Sequence, residues 1–312
     1  MTSNRLLAIG GAHIDRRGRI SGPYVPGASN PGVISEDVGG GVFNALRNAI
    51  RHGVLASLLS VRGGDSAGEN VERAIAGAGI DDLSAVFLDR STPSYTALLD
   101  SSGELIAGLA DMDLYEFAFA KQVGRSKAVA AIANASAILC DANLPEPALR
   151  KVIELATDKP LFAMAISPAK VTRLVDTLDG VSCLFMNIRE AASLASLPEG
   201  SAHDIAAKLL EMGLAGGVIT AGARPVIGFD HSGMFQISPP SPRLVADVTG
   251  AGDALAGVTI AGMMKGQTLR HSLRKGVAAA TLAVESRTAV ADYSDRDFAA
   301  ALEVVPPAEE MP

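Results

Sequence analysis

Cysteine is scarce in this 312-residue chain, where Cys140 and Cys183 are the only two. Both sit inside apolar runs, "AILCDAN" and "VSCLFMN". A disulfide framework is thereby excluded, and buried thiols in a reducing compartment are expected. No window reaches the roughly 18 to 20 consecutive apolar residues of a membrane helix, because glycine or charge interrupts the longest candidates. The opening "MTSNRLLAIGGAHID" has a short apolar stretch without a small-residue cleavage site, so export is not expected and the protein is expected to be cytoplasmic. Positive charge is also in short supply. With a net charge of -7 and scattered lysines and arginines, no basic stripe exists to hold a nucleic acid backbone. Among the five histidines no H-x-x-H or H-E-x-x-H spacing occurs, so no zinc is expected. A G-x-x-x-x-G-K-[ST] phosphate loop is absent, and so is a G-x-G-x-x-G fingerprint opening a βαβ unit, which argues against a dehydrogenase.

What is present is ample apolar material, 48% of the residues, enough for a sizeable core. Strand-like runs "RLLAIGG", "ASLLSVRGGD" (Ala56 to Asp65), "SAILCDA", "PLFAMAI", "SCLFMN" and "GGVITAG" alternate with segments at helical spacing. That alternation predicts a parallel sheet covered by helices on both faces. No linker or repeat divides the chain, so residues 1–312 are expected to form one domain. Two segments break the pattern, and "SYTALLDSSGELIAG" (Ser94 to Gly108) has the period and the turn of a hairpin. Together they predict a small β lid from segments roughly 12–38 and 92–110. The tail "VVPPAEEMP" is expected to fray.

The most informative stretch is "ADVTGAGDALAG", Ala246 to Gly257. A glycine-rich turn ahead of a helix leaves backbone N–H groups converging at the positive end of the helix dipole, which suits an anion. The amides of Gly250, Ala251 and Gly252 can hold negative charge there, with Asp253 in or near the first helical turn. A carboxylate beside an anion site fits phosphoryl transfer, where a base takes the proton of a hydroxyl while donors stabilise the moving group. The competing reading makes Asp253 a helix cap and the glycines a tight turn.

Asp247 to Gly257 resembles the C-terminal signature D-T-x-G-A-G-D of the ribokinase-like sugar and nucleoside kinases, the PfkB family, with Val248 in place of the commoner threonine. The likeness extends along the chain. "GGGVFNALRNAIRHG" (Gly39 to Gly53), "VRGGDSAGENVERAIAGAGI", "MNIREAASL" and "VITAGARPV" are similar to further family elements in the same order. The resemblance implies a three-layer α/β sandwich with a mostly parallel central sheet and a β-sheet lid, using ATP and Mg²⁺. Several segments look like the pseudouridine-directed subgroup: "GGAHID", "SNPG" (Ser29 to Gly32), "ALLDSSGELIAGLADMDLYE", "DANLPE" and "AAATLAVESRTAV". They imply the 5'-hydroxyl of pseudouridine as acceptor. Ribose, adenosine or another nucleoside, or a nucleoside-binding regulator without turnover, are the alternatives.

By this resemblance Asp253 is the general base, and Gly250, Ala251 and Gly252 form the anion hole. Asp15, placed at the end of the first strand, accepts from sugar hydroxyls. Gly40 and Gly41 let backbone approach the sugar, and Asn44 caps a helix and binds a hydroxyl. Asn30 in the flap completes the acceptor site, with Asn143 or Asp111 reaching the base. His13 stands where the subgroup has asparagine, and Met164 where related chains carry aspartate. Asn187, Thr220, Gly222 and Thr249 line the nucleotide cleft, and Glu190 holds Mg²⁺ through water. Phe43 is expected to pack in the flap or the core, and "DMD" (Asp111 to Asp113) to lie in a solvated loop. A monovalent cation such as K⁺ near Asp247 and the loop after Ser286 belongs to the same expectation, as does a homodimer through lid residues such as Ile34, Tyr95, Leu98 and Leu99.

Overall fold

The computed structural model describes residues 4–311. Its central sheet has ten strands, and the parallel part runs Asp81–Asp82, Leu55–Leu59, Arg5–Ile9, Ala137–Asp141, Leu161–Met164, Cys183–Asn187 and Gly216–Ala221. Side chains along each strand alternate between the two faces, as a pleated backbone requires. In Arg5–Ile9, Leu6 and Ala8 enter one apolar core while Leu7 and Ile9 enter the other. Leu46, Val71, Ile75, Leu255 and Val277 close the first face; Phe119, Ile132, Leu149, Leu194 and Ile205 close the second. The result is a three-layer α/β sandwich. Cys140 and Cys183 are free thiols with no exposed surface, and burial raises both pKa values. No helix among the described residues is long and apolar enough to cross a membrane.

Three local expectations need correction. "ASLLSVRGGD" is two strands: Leu55–Leu59 stays in the large sheet, while Val61–Gly63 leaves it to pair with Ala85–Phe87. "GGVITAG" is followed by the antiparallel strands Arg224–Asp230 and Gly233–Ile237, since Gly222 at φ 65 turns the chain back at once. The tail does not fray. Val305 is 1% exposed, and Glu309–Glu310 adds an edge strand beside Gly233–Ile237.

The second sheet has four strands in the order Gly32–Gly39, His13–Ile20, Ser94–Leu99, Leu105–Asp111. Ser94–Leu99 and Leu105–Asp111 form a hairpin whose turn is held by Asp100, which accepts from the Ser102 and Glu104 amides. This sheet stands over one edge of the cleft, because Asp15, Tyr95 and Ala110, opposite one another across three strands, all line the cavity below.

Helix Ala251–Met264 places the remaining wall. It is buried continuously from Ala254 to Gly262, packed between helix Gly41–Arg51 and helix Leu269–Val284. A Cβ on Gly257 would overlap the Ala45 carbonyl oxygen, so glycine is what lets the first two helices approach backbone to backbone. Their N-terminal ends therefore meet in the cleft.

Candidate active site

Open α/β sheets bind ligands at the carboxyl ends of their strands, where successive connections leave in opposite directions. Here that point lies between Arg5–Ile9 and Ala137–Asp141, because the chain first builds outward through Leu55–Leu59 and then crosses to the other side. A cavity of about 540 Å³ opens there. His13, Asp15, Gly40, Gly41, Asn44, Asn143, Asn187, Glu190, Thr220, Thr249, Gly252 and Asp253 all line it. A second cavity of about 420 Å³ adjoins it and is more apolar, with Gly222, Val226, Pro240, Val248, Ala251, Val277 and Val284 among its walls. Thr220, Gly252 and Leu255 belong to both.

Gly250 caps helix Ala251–Met264 at φ 81, a left-handed conformation, and a Cβ there would overlap the Ala289 carbonyl. The first helical amide to bond back is Ala254, which donates to the Gly250 carbonyl at 2.8 Å. The preceding amides lie outside that ladder, and Ala251 makes only a 3.4 Å turn contact to Val248. Asp253 is not the cap, since no side chain caps this helix. One of its oxygens instead accepts a 2.9 Å hydrogen bond from the Asn44 side-chain amide. Desolvation pushes the Asp253 carboxyl up to about 7; Asn44 opposes this, while Asp15, Asp141 and Glu190 reinforce it by like charge.

Asn44 itself departs from expectation. Helix Gly41–Arg51 is capped by Gly40 at φ 122 without a side-chain bond, and Asn44 lies a turn inside it. Its side-chain amide nitrogen thereby reaches Asp253, and its side-chain oxygen is buried without a partner in the protein. Asp15 belongs to strand His13–Ile20 of the small sheet and not to the end of the first strand. His13 lies between two partners, Asp15 at 3.3 Å and the Tyr115 hydroxyl at 3.2 Å. Phe43 is fully buried in the core.

Two expected residues fall outside the 540 Å³ cavity. Asn30 is held in its own loop by the Val25 amide and carbonyl and the Ala28 carbonyl. Asp111 lines a separate surface hollow with Asp89 and Asp113. Asn143 does line the cavity, donating to Asp141 at 3.1 Å and accepting from the Lys170 ammonium at 2.6 Å.

Asn187 and Glu190 form a capping box. The Asn187 side chain accepts from the Arg189 and Glu190 amides, and one Glu190 oxygen accepts from the Asn187 amide at 2.8 Å. Burial raises the Glu190 carboxyl against those hydrogen bonds. Among the described residues no cluster of three or more His, Cys, Asp or Glu could cage a metal. Glu190, which lines the 540 Å³ cavity, nevertheless fits Mg²⁺, which keeps waters, needs few protein ligands and binds mainly through substrate phosphates. Asp247 is already engaged by the Arg17 guanidinium at 2.8 Å and by the Thr249 amide at 2.8 Å.

Sequence reasoning did not single out several residues that shape the site. Asp141, fully buried at the switch point, accepts from the Gly11 and Asn143 amides and so fixes both loops. Arg173 donates to the carbonyls of Ala142, Asn143 and Leu144. Lys170 brings the cavity its ammonium. Only "DANLPE" carried a local signal for any of these; the others meet through the fold.

Two adjoining cavities sharing one glycine, with a carboxylate of raised pKa beside it, fit a phosphotransferase that acts on a hydroxyl group, the class to which the pfkB family belongs. The chain belongs to the pfkB family of carbohydrate kinases, which it matches over residues 3–296. It is 29% identical over 273 residues to the pseudouridine kinase of Escherichia coli K12, covering 86% of this chain and 87% of that one. A carbohydrate kinase from Agrobacterium tumefaciens is 44% identical, with a TM-score of 0.88 over 99% of this chain and 100% of that one. An Arabidopsis thaliana ribokinase solved with ribose and ATP has the same fold at 19% identity, with a TM-score of 0.84 over 96% and 99% of the two chains.

Proposed function

We propose that this protein transfers the γ-phosphoryl group of ATP to the 5'-hydroxyl of a ribonucleoside, pseudouridine. The observation that carries the reading is the position of Asp253 beside Gly252, which belongs to both cavities. The likeness to a pseudouridine kinase supports the choice of acceptor. The acceptor lies in the cavity under the lid. Asp15 accepts hydrogen bonds from the sugar diol, Gly40 and Gly41 form its floor, and Asn143 with Lys170 meets the base. ATP occupies the apolar cavity with its phosphates directed toward Gly252.

Ionised Asp253 takes the proton of the 5'-hydroxyl as that oxygen bonds to the γ-phosphorus and the bond to the β-phosphate oxygen breaks, releasing ADP. Asn44 orients the carboxylate, and the amides of Gly250, Ala251 and Gly252 stabilise charge on the moving group. Mg²⁺, when bound, neutralises charge on the phosphates, with Glu190 holding its waters. The lid excludes water, which otherwise competes as acceptor. The reaction belongs to the cytoplasm, where ATP is plentiful.

ADP release from MgATP with pseudouridine, uridine, adenosine and ribose in parallel tests the reading, with Asp253→Asn as control. Turnover confined to pseudouridine, falling at least ~100-fold in the variant, is expected for a lost general base. Turnover with another acceptor keeps the kinase and replaces the substrate. Nucleoside binding without turnover identifies a regulator.

A further inference from the structure

Three arginines crowd the lid strand His13–Ile20, and their partners differ. Arg16 stays within the lid, bonding Glu36 at 2.8 Å and Ser94 at 3.3 Å. Arg19 lies beside Gly103 in the hairpin turn. Arg17 leaves the lid: its guanidinium donates at 2.8 Å to Asp247, 230 residues away. Successive strand residues point to opposite faces, so Arg17 shares a face with Asp15, which lines the acceptor cavity. The strand that brings Asp15 over the acceptor thus brings Arg17 over the entry to the anion loop.

The receiving carboxylate is fixed to the body of the protein. The Ala246 and Asp247 amides donate to the Val284 carbonyl at 2.9 and 3.3 Å, and the second Asp247 oxygen accepts from the Thr249 amide. The two residues after Asp247 face the two cavities: Val248 lines the apolar one and Thr249 the polar one. The side chains of Arg17 and Asp247 are 28% and 26% exposed, so solvent reaches the pair and can take over its hydrogen bonds when it opens.

We infer that Arg17 is a positioning residue: its ion pair with Asp247 latches the lid to the loop that shapes the anion hole, coupling closure over the acceptor to readiness for transfer. The inference rests on the phosphotransferase reading and leaves the identity of the acceptor open. Broken, the latch leaves Asp253 and its hydrogen bond to Asn44 in place but loosens the cover that excludes water. Acceptor affinity and the partition between transfer and hydrolysis change, while the chemical groups at the reacting atoms do not.

Arg17→Met, Arg17→Lys, Asp247→Asn and the Arg17→Met/Asp247→Asn double variant test this, with Arg16→Ala as the control inside the lid. Asparagine at 247 keeps an oxygen for the Thr249 amide, so it removes mainly the charge. With the acceptor that the panel identifies, Arg17→Met is expected to raise the acceptor KM about tenfold and to raise acceptor-independent ATP hydrolysis relative to transfer several-fold. Lysine is expected to recover most of both effects, and the double variant to be no worse than either single one, because the two changes break one contact. A fall in kcat with KM and the hydrolysis ratio unchanged, or losses that multiply in the double variant, overturns the latch. If no acceptor is turned over, hydrogen exchange still decides. Faster exchange of the lid-strand amides in Arg17→Met than in Arg16→Ala supports the latch, and equal exchange removes it.

Discussion

Asp253 and Asn44 form a pair whose chemistry follows from one hydrogen bond at 2.9 Å. A base with a pKa of about 7 is half ionised near neutrality, so kcat/KM for the acceptor is expected to rise with pH through an inflection near 7. Asn44 stabilises the ionised form, and Asn44→Ala is therefore expected to move that inflection upward, which a pH–rate profile reads directly. The linkage sign is the reverse of the usual carboxylate. The folded pKa lies above the unfolded value near 4, so the protonated side chain contributes stability at low pH that is lost as pH rises through about 7. Asp253→Asn should consequently raise the melting temperature at pH 8 by about 2–6 °C and leave it nearly unchanged at pH 4. From "GAGD" alone Asp253 was equally a helix cap or a base, and only the family resemblance favoured the base. Its partner was legible only as a family position, because a cap was the local expectation for Asn44 and a residue 209 positions away was the real neighbour.

Helices Gly41–Arg51 and Ala251–Met264 matter through how closely they cross. Gly257 faces the Ala45 carbonyl, and any side chain there forces the backbones apart. Gly257→Val is expected to destabilise the protein by about 1–3 kcal/mol in denaturant unfolding, the ordinary cost of overpacking. It is also expected to lower kcat, because spreading the helices separates Asn44 from Asp253. The loop after Leu161–Met164 is a second element with local cost. Ile166 lines the acceptor cavity at φ 69, a left-handed conformation that disfavours a β-branched side chain. Its sequence, "AMAISPAK", contains no glycine or asparagine to announce that conformation. Strand-by-strand alternation announced the parallel sheet correctly, whereas the antiparallel edge was hidden because buried strands in either direction have the same apolar run.

At the scale of the whole molecule, the small sheet leaves apolar side chains in solvent. Val33, Ile34, Leu105 and Leu109 are 69%, 76%, 57% and 69% exposed on strands of the small sheet. Val33 and Ile34, successive on one strand, point to opposite faces, Ile34 with Leu109 and Val33 with Leu105, and we propose a homodimer in which two copies of this small sheet pair and cover its exposed apolar side chains. Sedimentation at micromolar concentration is expected to give twice the 32.0 kDa chain mass, and Ile34→Lys to shift it to the monomer. A monomeric wild type removes the proposal.

By itself the sequence determined the class of architecture, the glycine turn with its following aspartate, and the order of the motifs, because periodicity, turn chemistry and helix starts are written within short windows. Only the tertiary structure decided which of those motifs meet. Asn44 reaches Asp253, Arg17 reaches Asp247, and Asp141 ties Gly11 to Asn143, each across 130 residues or more except the last short step. Such contacts depend on strand order and on the closeness of two helices, and those are set by the packing of two cores on one sheet, which no local window contains.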